Sequence, residues 1–165
     1  MGTLIVIALI SIGIIVYLNL PNTKLKKANK LIQQKQYSEA TRTLDKIISK
    51  HPLALARYSY CYYIQGIEIL ERNPSKAINF FNKSINLEHL IYSGTDKKSF
   101  QKIAEKSFYE ISYLQFKLIS NEISKATLNE FIKNLDFINQ SKFKDSEILV
   151  ELKATHFQKI IEYNF

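Results

Sequence analysis

Tryptophan is absent from this chain, cysteine and methionine occur once each, glycine four times and proline three times. A single cysteine, Cys61, excludes a disulfide framework and every paired-cysteine redox or zinc motif. Four scattered glycines cannot build a Walker loop or a dinucleotide fingerprint, whose tight turns need clustered glycine. The GxSxG nucleophile elbow is missing as well. His51, His89 and His156 stand far apart, and none has a Cys, His, Asp or Glu three or four residues away. The nearest case, Glu151 and His156, is five apart and does not share a helix face. No catalytic residue, metal or cofactor is therefore expected, and the histidines read as surface or turn residues. Cys61 reads as a small buried apolar residue.

Charge is what the first 20 residues lack: all 38 Asp, Glu, Lys and Arg residues lie beyond them. Residues 4–18 are apolar except for Ser11, Gly13 and Tyr17. Twenty helical residues rise about 30 Å, one hydrocarbon core. The expectation is a transmembrane anchor over residues 1–20, stopped by Pro21. A cleaved signal peptide would want a basic start and a small-x-small site. Met1-Gly2-Thr3 has no Lys or Arg, and residues 16–22 offer no such site. Val6 breaks the myristoylation motif that Gly2 would open. Lys24, Lys26, Lys27 and Lys30 follow the span, so the positive-inside rule places the rest of a single-pass chain in the cytoplasm, with the periplasm as the alternative.

The basic surplus is uneven. Residues 21–60 hold nine basic and two acidic side chains, a net of +7, whereas residues 61–165 hold 14 and 13, a net of +1. Near an anionic leaflet each Lys or Arg contributes about 1 kcal/mol. Lys24, Lys26, Lys27 and Lys30 are thus candidate membrane-surface residues, and the bland alternative is topology signal plus solvated helix faces. Nucleic acid is not an expected partner, because Tyr37 is the one aromatic residue between positions 21 and 50 and no groove-reading motif occurs.

Apolar residues recur with helical period almost everywhere after Pro21. The spacing predicts helices over 22–34, 37–50, 53–71, 75–87, 97–119, 124–139 and 143–163, and no strand. Asn73 or Ser75 can cap the fourth, Thr95 or Asp96 the fifth. Ser38-Glu39-Ala40, Ser75-Lys76-Ala77 and Ser124-Lys125-Ala126 open the second, fourth and sixth. Ala28 and Leu31 form a small–large pair on the first helix. Tyr37 precedes Ala40 by three, Leu44 follows it by four, and Pro52 comes at the end. In the next unit Ala77-x3-Phe81 repeats the pattern, with Gly66 as the small residue on the preceding helix.

These residues resemble the tetratricopeptide repeat, a 34-residue helix pair that stacks into a solenoid. The match is best over 22–89 and degenerate over 97–139. Ala40 to Ala77 spans 37 residues and Ala77 to Ala126 spans 49, and the apolar phase of Leu128, Phe131 and Leu135 fits Thr127 in the third small position better than Ala126. A helix over 143–163 would cap the stack, and a non-repeat helical bundle is the alternative architecture. The resemblance implies an all-α domain over 21–165 that holds other proteins at a bacterial inner membrane. It would serve as a scaffold or adaptor in an envelope, secretion or motility assembly; a lipid-binding regulator is the alternative. In the family the first helix of each pair lines the groove. Tyr58, Tyr62 and Gln65 are then the candidate partner-binding residues, against the alternative that the tyrosines fill the core. A second aromatic cluster, Phe108, Tyr109, Tyr113 and Phe116, lies on the fifth helix.

Overall fold

The computed structural model of the chain describes Gly13, Val16 and residues 20–120 and 125–164; the side chains of 121–127 and 163–165 lie outside that description. The described residues form seven α-helices and no strand. They are α1 (Pro21–Gln33), α2 (Tyr37–Asp45), α3 (Ala54–Ile69), α4 (Pro74–Ile85), α5 (Lys97–Ser120), α6 (Lys125–Gln140) and α7 (Glu147–Asn164). A 3-10 turn, Glu88–Leu90, follows α4.

The all-α expectation holds, but the N-terminal transmembrane helix needs correction. Among the described residues no helix is long and apolar enough to cross a membrane. Length alone does not suffice: α5 has 24 residues, enough to span, yet it carries Lys97, Lys98, Lys102, Glu105, Lys106, Glu110 and Lys117. Each such charge at mid-bilayer is costly. The uncharged run that prompted the expectation lies outside the described residues, apart from Gly13, Val16 and Leu20.

Local chemistry sets the helix ends. The Asn73 side chain accepts from the Lys76 N–H at 3.0 Å, with Pro74 at the first helical position. Asp96, rather than Thr95, caps α5, accepting the Ser99 N–H at 3.1 Å and the Ser99 hydroxyl at 2.6 Å. Between α1 and α2, Lys35 takes the left-handed conformation (φ 60°). The Gln36 N–H then reaches the Leu31 carbonyl, and the Lys35 N–H that of Ile32. That is the Schellman closure of a helix. The Tyr37 hydroxyl donates to Glu68 at 2.9 Å and Lys35 lies 3.0 Å from the same oxygen, which ties this turn to α3. The second helix ends at Asp45, five residues earlier than its apolar period suggests. A carboxylate opposes the helix dipole there, and Ile47 and Ile48 are buried from turns instead.

Each helix packs on its successor, and α1, α3, α5 and α7 also touch in sequence, so the chain is a stack of helix pairs. A main core runs from Ala28 on α1 to Leu152 on α7, and a smaller one gathers Ala77, Phe81, Ile111 and Leu114. The small residues singled out by the repeat pattern lie where helices meet: Ala28, Ala40 and Ala77 are wholly buried, and Gly66 is buried too. The large partners Leu44 and Phe81 are also wholly buried. The Ala126 and Thr127 side chains are outside the described ones.

At Gly66 a Cβ would sit 2.5 Å from the Phe81 ring. Beside it, three serines join three helices. The Ser59 hydroxyl donates to the Ser84 carbonyl at 2.9 Å. With that proton used, the Ser84 hydroxyl is left to donate to Ser59 across 2.8 Å, and it accepts from Ser107 at 2.9 Å. All three side chains are fully buried, so a hydroxyl relay replaces apolar volume where α3, α4 and α5 crowd together.

Gly66→Ala tests that crowding. In an open helix the change stabilises by about 1 kcal/mol. Here the added methyl meets a ring that cannot swing away, and overpacking costs about 1–3 kcal/mol. Thermal unfolding should therefore show a Tm lowered by several degrees, partly restored when Phe81→Leu is added. A raised Tm in the single variant would remove the close α3–α4 approach.

Candidate functional site

Tyr58 and Tyr62 stand four apart on α3, so both project from one helix face. Their rings meet edge to face, centroids 5.6 Å apart at 73°. Both are half-buried. They form one wall of an open cleft of about 540 Å³ whose other wall is Asn79, Asn82 and Lys83 on α4 and Asn86 at its C-cap. Leu87 and Leu90 complete the lining, with exposed His89 at the 3-10 turn. Burial pushes the Tyr58 hydroxyl up to about 12, and neighbouring Tyr62 adds to the rise. The Tyr58 phenol is thus a neutral hydrogen-bonding group at physiological pH.

Gln65 does not join them: its amide nitrogen donates to the Cys61 carbonyl at 2.9 Å within α3, and it does not line the cleft. Nor is the cleft walled by first helices alone. Its second wall is the outer helix of the same pair, α4. What the sequence reading missed is the asparagine row on that wall. The signal was present as Asn at i and i+3 of an amphipathic helix and at i+7 on its C-cap, but polar residues on an exposed face are usually just solvated.

Lys24, Lys26, Lys27 and Lys30 all fall on α1, which has no acidic residue. Lys26, Lys27 and Lys30 are exposed and Lys24 is half-buried. They share a helix but not the cleft, which lies two helices away.

The second aromatic cluster divides between core and surface. Phe108 is buried, stacked on Phe137 with centroids 5.1 Å apart, and 5.2 Å from Phe143. Phe116 packs on Phe131 at 5.5 Å and on the His156 ring at 4.8 Å. Tyr109 and Tyr113 stack nearly parallel, 6.1 Å apart, towards the outside. Beside them Glu110 is half-buried, and burial holds its carboxyl above the usual range.

Cys61 is wholly buried, and burial pushes its thiol up to about 12, so it stays protonated and inert. His156 is not the surface residue its spacing suggested. It is fully buried, its Nδ1–H donating to the Leu152 carbonyl at 2.7 Å. Its Nε2 accepts from the Asn134 amide nitrogen at 2.7 Å, and that nitrogen also donates to the Ser112 carbonyl at 3.2 Å. Asn134 Oδ1 and the Ser112 hydroxyl are buried with no hydrogen-bond partner among the described residues. The spacing test looked for metal ligands and so passed over a histidine that serves a helix junction. Among the described residues, no three His, Cys, Asp or Glu side chains converge as they would around a metal ion.

Comparison with known proteins adds no neighbour: no family model, curated protein or solved structure matches the chain.

Burial holds the His156 pKa below its ordinary 6.5. The unfolded chain therefore takes up a proton that the folded chain refuses. The stabilising contribution is complete above about pH 6.5 and lost as pH falls below it, by up to about 1.4 kcal/mol per pH unit. Denaturant midpoints measured from pH 8 to 5 should fall on the acid side, and His156→Gln should flatten that fall. An unchanged slope in the variant would assign the acid sensitivity to another group.

Proposed function

We propose that this chain is a protein-binding module: a tetratricopeptide-like stack of helix pairs that acts as a scaffold or adaptor and holds a partner in the Tyr58–Tyr62 cleft. The observation that carries this reading is the cleft itself. Two tyrosines at helical spacing face a row of exposed amides across open space. Tyrosine offers area and a hydroxyl at little entropic cost, which is why it recurs where proteins recognise each other. The cleft is shallow and mixed in polarity, unlike the enclosed apolar pockets that hold small molecules. Neither it nor the buried histidine and cysteine supplies a base beside a nucleophile, so recognition fits the chemistry better than catalysis.

A second reading rests on α1. Four lysines and no acid on a 13-residue helix make a one-signed surface suited to anionic headgroups. In it the chain would be a regulator that docks on a lipid surface.

The two readings separate experimentally. Tyr58→Ala with Tyr62→Ala should abolish capture of a partner that co-purifies with the wild-type chain, with helicity by circular dichroism retained; undiminished capture would take the cleft out of recognition. Sedimentation with vesicles of phosphatidylcholine and phosphatidylserine tests the other. If α1 carries lipid binding, replacing Lys24, Lys26, Lys27 and Lys30 by Gln should release the protein, and equal sedimentation of the variant would end that reading.

A further inference from the structure

The wall opposite the tyrosines holds more specific chemistry than a generic polar rim. Asn79 and Asn82 on α4 and Asn86 at its C-cap are spaced i, i+3 and i+7, and all three are exposed. Asparagine is a poor residue for a helix interior because its side chain competes for backbone groups. Two on one face of a 12-residue helix are a local cost with no return inside the molecule. None of these three amides has a hydrogen bond among the described residues.

A side-chain amide presents one acceptor and two donors, the complement of a peptide unit. An extended chain shows same-side peptide units every two residues, about 6.6 Å apart. Asn86 caps the helix with its N–H still bonded to the Asn82 carbonyl at 3.0 Å, so the step between these two residues is a helical rise of about 6 Å. A strand lying along α4 can therefore offer successive peptide units to the two side chains. Its alternate side chains would turn towards the rings of Tyr58 and Tyr62. A helical ligand would not use this wall, because its own backbone groups are already paired.

Charge narrows the occupant. No acidic residue lines the cleft, while Lys83 sits inside the amide row and His89 at one end. Glu88, just outside, is ion-paired with Lys142. Lys83, whose ammonium also lies 5.7 Å over the Phe80 ring, gives the cleft its positive charge. Resting on the binding-module reading above, we infer that the occupant is an extended peptide segment, its backbone held by Asn82 and Asn86 and a carboxylate of its own placed at Lys83.

The test uses the full chain, immobilised, against a displayed library of random linear 12-residue peptides. Selected peptides are then synthesised. Three results are expected: Asp or Glu enriched at one fixed position; N-methylation weakening binding at every second residue of the contact segment; and a loss of about threefold to tenfold from each of Asn82→Ala and Asn86→Ala. Lys83→Glu should exchange the acidic preference for a basic one. All three positions are exposed, and retained helicity confirms folding. Selection of peptides that become helical on binding, loss of the two-residue alternation, or no selected peptide at all overturns the inference. Sensitivity to Tyr58→Ala with indifference to both asparagine variants leaves the cleft as a binding site and removes the amide reading. Indifference to tyrosine and asparagine variants alike removes both.

Discussion

The approach of α3 to α4 constrains most of what surrounds it. Two helices can come this close only where one presents no side chain, and Gly66 leaves the space that the wholly buried Phe81 ring fills. With the ring fixed there, Tyr63 packs against it at 5.9 Å. Three fully buried serines meet at the neighbouring crossing. The hydroxyls of Ser59, Ser84 and Ser107 then satisfy one another instead of facing an apolar wall. Fully satisfied buried polar groups fix one arrangement where apolar groups of similar size could slide. The same contact sets the orientation of α4, and with it the direction in which the asparagine row faces Tyr58 and Tyr62.

Much of this was legible beforehand, for a physical reason. A helix-pair stack repeats one packing problem, so small and large residues recur at fixed spacing. Ala28, Ala40, Gly66 and Ala77 could be named as contact points without coordinates. Helix caps were equally readable, since Asn73 and Asp96 act through bonds to residues three positions on. Less legible was whatever depends on partners distant in sequence. Asp45 ends α2 although Ile47 and Ile48 continue its apolar period. Gln65 was a groove candidate by the family resemblance, but folds back on its own helix. The burial of His156 required knowing that Phe116, Phe131 and Asn134 arrive from two other helices.

The membrane expectation rested on residues 1–20, of which only Gly13, Val16 and Leu20 are described, and none of the described helices is long and apolar enough to cross a membrane. The helices that form this stack are each amphipathic or charged, and the longest, α5, spends its length on Ser107, Ile111 and Leu114 facing neighbours. Its charged residues take the other side. A helix built to pack in water on one side and into a core on the other cannot also face hydrocarbon all round.

The junctions along the stack differ in how well they are determined. The α5–α6–α7 junction leaves Asn134 Oδ1 and the Ser112 hydroxyl buried and unpaired among the described residues. It also places a histidine where protonation is disfavoured, and α7 turns Val150, Phe157 and Ile161 outward. The α3–α4–α5 junction has its buried hydroxyls paired and its largest ring enclosed. Holding a site in its bound shape before the ligand arrives removes an ordering cost from binding. The cleft of Tyr58, Tyr62 and the α4 amides stands on the better-determined junction. Its weak point is Asn79 and Asn82 inside a helix that gains nothing from them internally, a local inconsistency that the proposed recognition role would explain.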